Sequence, residues 1–114
     1  MNAMRNRVQL IGHLGNTPEI RTLDGGQKIA KFSIATHENY KNKQGEKVEE
    51  TQWHNLIAWG NLADISEKFL DKGSEVAIEG KLTHRDYTDK DGVKRYITEV
   101  VVNDILMLDK KGKG

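Results

Sequence analysis

A small all-β barrel of five strands, with one helix between the third and the fourth, is the fold class this sequence predicts. Hydrophobic and polar residues alternate along residues 5–14, 28–37 and 75–87, the period of a strand with one face in a core, and β-branched and aromatic content marks residues 51–60 and 95–108 as two more strands. Gly12 and Gly80 stand inside two of those stretches, where strongly curved sheets bend. One stretch only, residues 61–70, changes to the 3.6-residue period of a helix.

Composition sets the scale. At 114 residues, 36% hydrophobic and 31% charged, the chain can build one compact core and no second one. No apolar run has the length of a membrane span, and Met1 opens no signal-peptide pattern. Cysteine is absent, which excludes a disulfide framework and thiolate metal sites. A cytoplasmic protein is the expectation. Net charge is only +1, so affinity for a polyanion must come from how the charges are arranged.

Each element follows from local pattern. Residues 5–14 alternate, with Val8, Leu10 and Leu14 inward and Arg5, Arg7, Gln9, Ile11 and His13 outward. Gly15 marks a bend, and Asn16-Thr17-Pro18 and Asp24-Gly25-Gly26 read as turns. Residues 28–37 form the second strand, with Ala30, Phe32 and Ile34 inward and Lys31, Ser33 and Ala35 outward. Residues 38–50 are polar around Gly45 and hold one aromatic, Tyr40; they read as a long, exposed, mobile hairpin loop. Residues 51–60 are the third strand. In the helix, Leu62, Ile65, Ser66, Phe69 and Leu70 share a face, Asn61 is placed to cap, and Lys72-Gly73 stops it. Residues 75–87 make the fourth strand, with Val76, Ile78 and Leu82 inward. Asp89-Lys90-Asp91-Gly92 turns the chain into a last strand, residues 95–108, whose Val100-Val101-Val102 reads as buried on both sides.

Strand, strand, strand, helix, strand, strand is the layout of an OB-fold, a five-stranded Greek-key barrel. The domain is expected over residues 1–108, with residues 109–114 a disordered basic tail. Such barrels bind oligosaccharides, proteins or nucleic acids, so function needs the side chains. His13, His37, His54 and His84 lie on different strands without ligand spacing, and Asp89 and Asp91 share one turn. No catalytic residue, metal site or cofactor is expected.

The third strand is the exception to core patterning. Thr51, Trp53, Asn55, Ile57 and Trp59 share one face, while Gln52, His54, Leu56 and Ala58 share the other. Taken alone, the two indoles are either half-buried core residues or a stacking platform. Tyr40 and Tyr87 add two aromatics at accessible positions, with Lys41 and Lys43 beside the first and Arg85 and Arg95 around the second. Aromatics interleaved with cations suit single-stranded nucleic acid, because every unpaired base offers a π-face and the backbone needs counter-charge.

Several segments then fall in one family order: Asn6-Arg7-Val8-Gln9-Leu10-Ile11-Gly12-His13-Leu14-Gly15, Thr51-Gln52-Trp53-His54, Gly60-Asn61-Leu62-Ala63, Lys72-Gly73-Ser74-Glu75-Val76 with Glu79-Gly80-Lys81-Leu82, and Arg95-Tyr96-Ile97-Thr98-Glu99-Val100. Over nearly its whole length the sequence resembles the bacterial single-stranded DNA-binding protein family. The resemblance implies a non-enzymatic, nucleoid-associated homotetramer. It would bind and protect single-stranded DNA with little sequence preference during replication, recombination and repair. It implies stacking by Trp53, Trp59, Tyr40 and Tyr87, and phosphate or polar contacts from Arg7, Lys41, Lys43, Asn55, Lys72, Arg85 and Arg95. His54 and Ile11 would lie at subunit contacts, the first strand pairing across subunits.

Two departures bear on this. Tyrosines at 40 and 87 replace the indole many members carry, which implies weaker stacking there. Members usually continue through a linker to an acidic tip that recruits replication and repair proteins. The sequence in hand closes on a basic run, so recruitment through such a tip is not expected of it. A related OB-fold primosome or RNA-binding module is the alternative.

Overall fold

Alternation governs this backbone wherever a strand meets the core. The structure, a computed structural model, describes residues 3–108; the expected tail at 109–114 lies outside them. A short 3-10 turn, Ala3–Arg5, precedes β1 (Val8–Leu14), β2 (Glu19–Thr22), β3 (Lys28–Lys41) and β4 (Lys47–Trp59). Helix α1 (Asn61–Phe69) follows, then β5 (Glu75–Thr88) and β6 (Lys94–Met107). Within these residues no helix is long and apolar enough to cross a membrane.

The strands run in the order β1-β5-β6-β4-β3-β2, and β1 also pairs with β3, which closes five of them into a barrel. The OB-fold expectation holds, with α1 between the third and fourth barrel strands. Leu14, Ala30, Phe32, Ile34, Leu56, Ala58, Val76, Ile78, Val100 and Val102 fill the interior, and Ala63 and Leu70 from the α1 segment join them. Burying each large aliphatic side chain contributes about 1.5–3 kcal/mol.

Closure depends on two missing side chains. A Cβ on Gly12 would stand 2.3 Å from the Ala35 carbonyl oxygen, and one on Gly80 would stand 2.2 Å from that of Val101. Gly80 also follows a register shift in the β5–β6 ladder. Only glycine lets the backbones approach this closely, so the bends expected there are packing requirements.

The structure corrects several expectations. Residues 38–50 are not a loop: β3 and β4 continue as a paired ribbon out to Lys41 and Lys47, leaving only a tight turn at 42–46. Asn42 organises that turn, its Oδ1 accepting from the backbone N–H of Gln44 and of Glu46, both at 3.0 Å. Asn61 does not cap α1; Gly60 occupies the N-cap with φ 59, a left-handed conformation open to glycine. Ala35 is buried, because β1 crosses over it to reach β3. Leu82 and Phe69 are partly exposed, since the β5–β6 ribbon outruns the barrel and α1 ends at Phe69. Strand β2, between the two expected turns, was too short for a periodic signal.

Candidate functional site

Strand β4 displays its indoles by parity. Antiparallel pairing sets Trp53 beside Ala35, Asn55 beside Ser33, Ile57 beside Lys31 and Trp59 beside Ile29, and paired residues share a face. Leu56 and Ala58 point the other way into the core. Trp53 is 62% exposed and Trp59 39%. Trp53 is therefore a surface ring, and the core reading fails for it.

The exposed ring nevertheless has a seat. A Cβ on Gly15 would lie 2.3 Å from Cζ3 of Trp53 and 2.9 Å from Cη2, so the indole rests on bare backbone. That backbone is pinned in turn. Gly15 N–H donates to the Ser33 carbonyl, and Asn16 Oδ1 accepts from the Ser33 N–H and hydroxyl, all within 2.9–3.0 Å. A glycine expected only to bend the chain is a platform for an indole.

Beyond Trp53 the barrel wall opens. β4 and β6 pair in parallel at Leu56/Val100 and Ile57/Val101 and part before those positions. One cleft, about 330 Å³, is lined by Trp53, His54, Leu82, Tyr96 and Thr98 among others. A second, about 280 Å³, is lined by Lys31, Ser33, Asn16, Glu19 and Arg85 with core edges beneath. Asn55, Ile97 and Glu99 line both. The expected polar contact Asn55 thus sits where the two clefts meet.

Three of the six expected cations are already engaged. Arg85 Nε donates to Glu99 Oε1 at 2.9 Å, and Glu99 is the one buried carboxylate among the described residues. Glu99 raises the Arg85 pKa further and keeps the guanidinium charged. Arg95 Nε donates to Asp89 Oδ2 at 2.8 Å. That bond, with backbone N–H groups of Val93 and Asp91, holds the Asp89 carboxyl below the usual carboxylate range. Arg7 pairs with Glu79 on the outer side of β1 and β5, away from the indole clefts. Lys41, Lys43 and Lys72 form no ion pair among the described residues. Lys72 stands in a turn whose Gly73 N–H donates to the Leu14 carbonyl, next to the Gly15 seat.

The expected residues do not form one cluster. Tyr40 pairs with Val48 near the ribbon tip, five positions and about 17 Å along the strand from Ala35 and Trp53. It lies in the opposite register phase, above a surface hollow with Lys41 and Lys47. Tyr87 pairs with Arg95 on the same ladder phase as Arg85 and Ile97, at the far end of the β5–β6 ribbon. His54 points away from the indoles; its Nε2 lies 3.0 Å from the Thr36 hydroxyl. The Thr36 methyl in turn approaches Gly12 of β1. Ile11 is exposed on the outer face of β1. No group of His, Asp or Glu among the described residues is arranged to hold a metal ion.

Two residues escaped the sequence reading. Arg21 in β2 pairs with Ile29, which pairs with Trp59, so a cation and an indole share one row across three strands. Only β2 reveals this. Tyr96 is 76% exposed, the most open aromatic among the described residues; its alternation with Arg95 and Ile97 was the available signal.

The chain matches the single-strand binding protein family over residues 5–108. It is 48% identical to single-stranded DNA-binding protein 1 of Chlorobaculum tepidum, over 96% of this chain and 68% of that one. To single-stranded DNA-binding protein 1 of Xylella fastidiosa it is 44% identical, over 96% and 81%. Among solved structures, the Plasmodium falciparum SSB complex with ssDNA superposes with TM-score 0.86 at 34% identity, covering 91% of this chain and 95% of that one. A deletion mutant of the Thermus aquaticus single-stranded DNA binding protein gives TM-score 0.80 at 29% identity, covering 93% and 51%.

The Gly15 seat makes a direct prediction. In a Trp59→Phe background, Gly15→Ala should lift the Trp53 indole, shift its emission to the red and increase its quenching by acrylamide. Unchanged quenching would show that the ring does not rest there.

Proposed function

Because this chain belongs to the single-strand binding protein family, we propose that it binds and protects single-stranded DNA with little sequence preference, as a cytoplasmic, nucleoid-associated protein. Members of the family are non-enzymatic DNA-binding proteins with general roles in replication, recombination and repair. The observation that carries the reading is the exposed Trp53 ring, seated on Gly15 beside two clefts that share Asn55. A ring held this way loses little freedom when a base stacks on it. Stacking contributes roughly 1–3 kcal/mol per base and is indifferent to sequence. Trp59 with Arg21, Tyr87 with Arg85 and Arg95, and Tyr40 with Lys41 and Lys43 extend the path, and Lys72 supplies a cation near the seat. Arg85 and Arg95 use part of each guanidinium on a carboxylate and keep remaining N–H groups for phosphate oxygens. Arg7 is the weakest candidate, since the hollow beside its partner Glu79, lined by Gln9, Asp104 and Leu106 among others, has no aromatic among the described residues that line it.

Self-association into a homotetramer is the second part of the proposal. Residues 8–11 of β1 pair with β5 on one edge and with no described strand on the other, an open edge that invites a second copy. Ile11, Ala77 and Leu106 form an outward row across β1, β5 and β6, with Ile11 and Leu106 more than half exposed. His54 reaches that region through Thr36 and Gly12. Burying such a row between copies removes the largest aliphatic exposure on this face. Replication and repair proteins are expected partners of the assembly.

Titration with poly(dT) should quench the tryptophan emission, and Trp53→Ala should weaken binding by about the stacking energy of one base, ~1–3 kcal/mol. Emission that stays constant to saturation, or a variant of wild-type affinity, would refute the platform. Sedimentation equilibrium at micromolar concentration should return four copies per particle; a monomer there would refute the assembly.

A further inference from the structure

We infer that Tyr96 is a further base-stacking residue, which carries the platform from β4 across the cleft onto β6. The inference rests on the single-stranded DNA reading above and adds a position to its path. Tyr96 and Trp53 line the same opening, about 330 Å³ in volume, on its opposite strands. A base stacked on Trp53 therefore has its neighbour's position walled by Tyr96. The ring is 76% exposed, which for a side chain of this size leaves a whole π-face to solvent. The inner end of the cleft is apolar: the β5–β6 ladder sets Leu82 opposite Val100, two pairs along the same face from Tyr96, and both line the cleft.

Charge beside the ring fits a nucleic acid strand. Lys94 Nζ stands 5.7 Å from the Tyr96 ring centroid, a cation–π distance. The same ammonium lies 3.5 Å from Asp86, which pairs directly opposite Tyr96. Lys94 thus neutralises the carboxylate opposite the ring, as Arg85 neutralises Glu99 in the same cleft, while its exposed head remains able to meet a phosphate. His84 and Thr98 occupy the next pair along the face, their side chains 2.9 Å apart, and offer polar edges for a base. The contiguity of Trp53, the cleft and a cation-backed ring favours the bound strand itself as occupant over a protein partner.

The test uses an oligo(dT) too short to engage two particles. Tyr96→Ala should bind it about 5- to 150-fold more weakly, the spread that one stacked base allows, while Tyr96→Phe keeps wild-type affinity. The unaltered protein, irradiated with a 5-iodouracil-substituted strand, should give an adduct on the peptide containing Tyr96. Wild-type affinity of Tyr96→Ala alongside a weakened Trp53→Ala would overturn the inference and leave the platform standing. If both variants bind normally, the single-stranded DNA reading fails with it. A Tyr96→Ala defect confined to sedimentation without DNA, with short-strand affinity unchanged, would also overturn it and assign the ring to a contact between copies.

Discussion

The register of β3 against β4 is the constraint on which the surface depends. Because side chains alternate with period two, a slip of one residue would send Trp53, Asn55 and Trp59 into the barrel and expose Leu56 and Ala58. Several features hold the register. Phe32 and Leu56, and Ala30 and Ala58, pair in the core. The Asn42 turn fixes the outer end of the ribbon. At the inner end, Lys28 bridges from β3 to Asp64 at 3.3 Å and to Glu67 at 3.0 Å on α1. The same packing that stabilises the barrel therefore aims the indoles at solvent.

That register explains how a chain of net charge +1 can serve a polyanion. Its arginines are mostly matched to carboxylates: Arg7 to Glu79, Arg85 to Glu99, Arg95 to Asp89. These pairs orient guanidinium groups and hold the ribbons, but they blunt the long-range field that attracts phosphates. Stacking must then supply much of the affinity. Trp53 on its glycine seat, Trp59 in line with Arg21, and the tyrosines on the two ribbons are spaced along a path longer than any single cleft. An extended strand matches such spacing better than a compact ligand does.

Much of this was legible in the sequence, for identifiable reasons. Strands with one buried face announce themselves by alternation, and β1, β3 and β5 did so, while β4 was legible by its β-branched and aromatic content. The helix was legible by its change of period. What escaped were features without a period. Strand β2 is four residues long, and its Arg21 becomes meaningful only through pairing with Ile29. The β3–β4 ribbon beyond the barrel is mostly polar, so residues 38–50 resembled a loop although their backbone is paired out to Lys41 and Lys47. Gly15 looked like a bend because a sequence cannot show that Trp53, far along the chain, lies on it. The proposed site residues were read from type and neighbourhood; that Tyr40 and Trp53 sit on opposite phases of one ribbon needed the register.

On the proposed path ring stacking outweighs charge in holding the strand, and the salt dependence of oligo(dT) binding separates the two contributions. Each phosphate neutralised contributes a slope of about −0.7 in a plot of log Kobs against log salt for a single strand. With Arg7, Arg85 and Arg95 matched to carboxylates, the cations left on the path are Arg21, Lys41, Lys43 and Lys72. The account therefore predicts a slope no steeper than about −3, and binding that persists at about 1 M salt, where the Debye length is ~3 Å. A steep slope, with binding lost at that salt concentration, would contradict it.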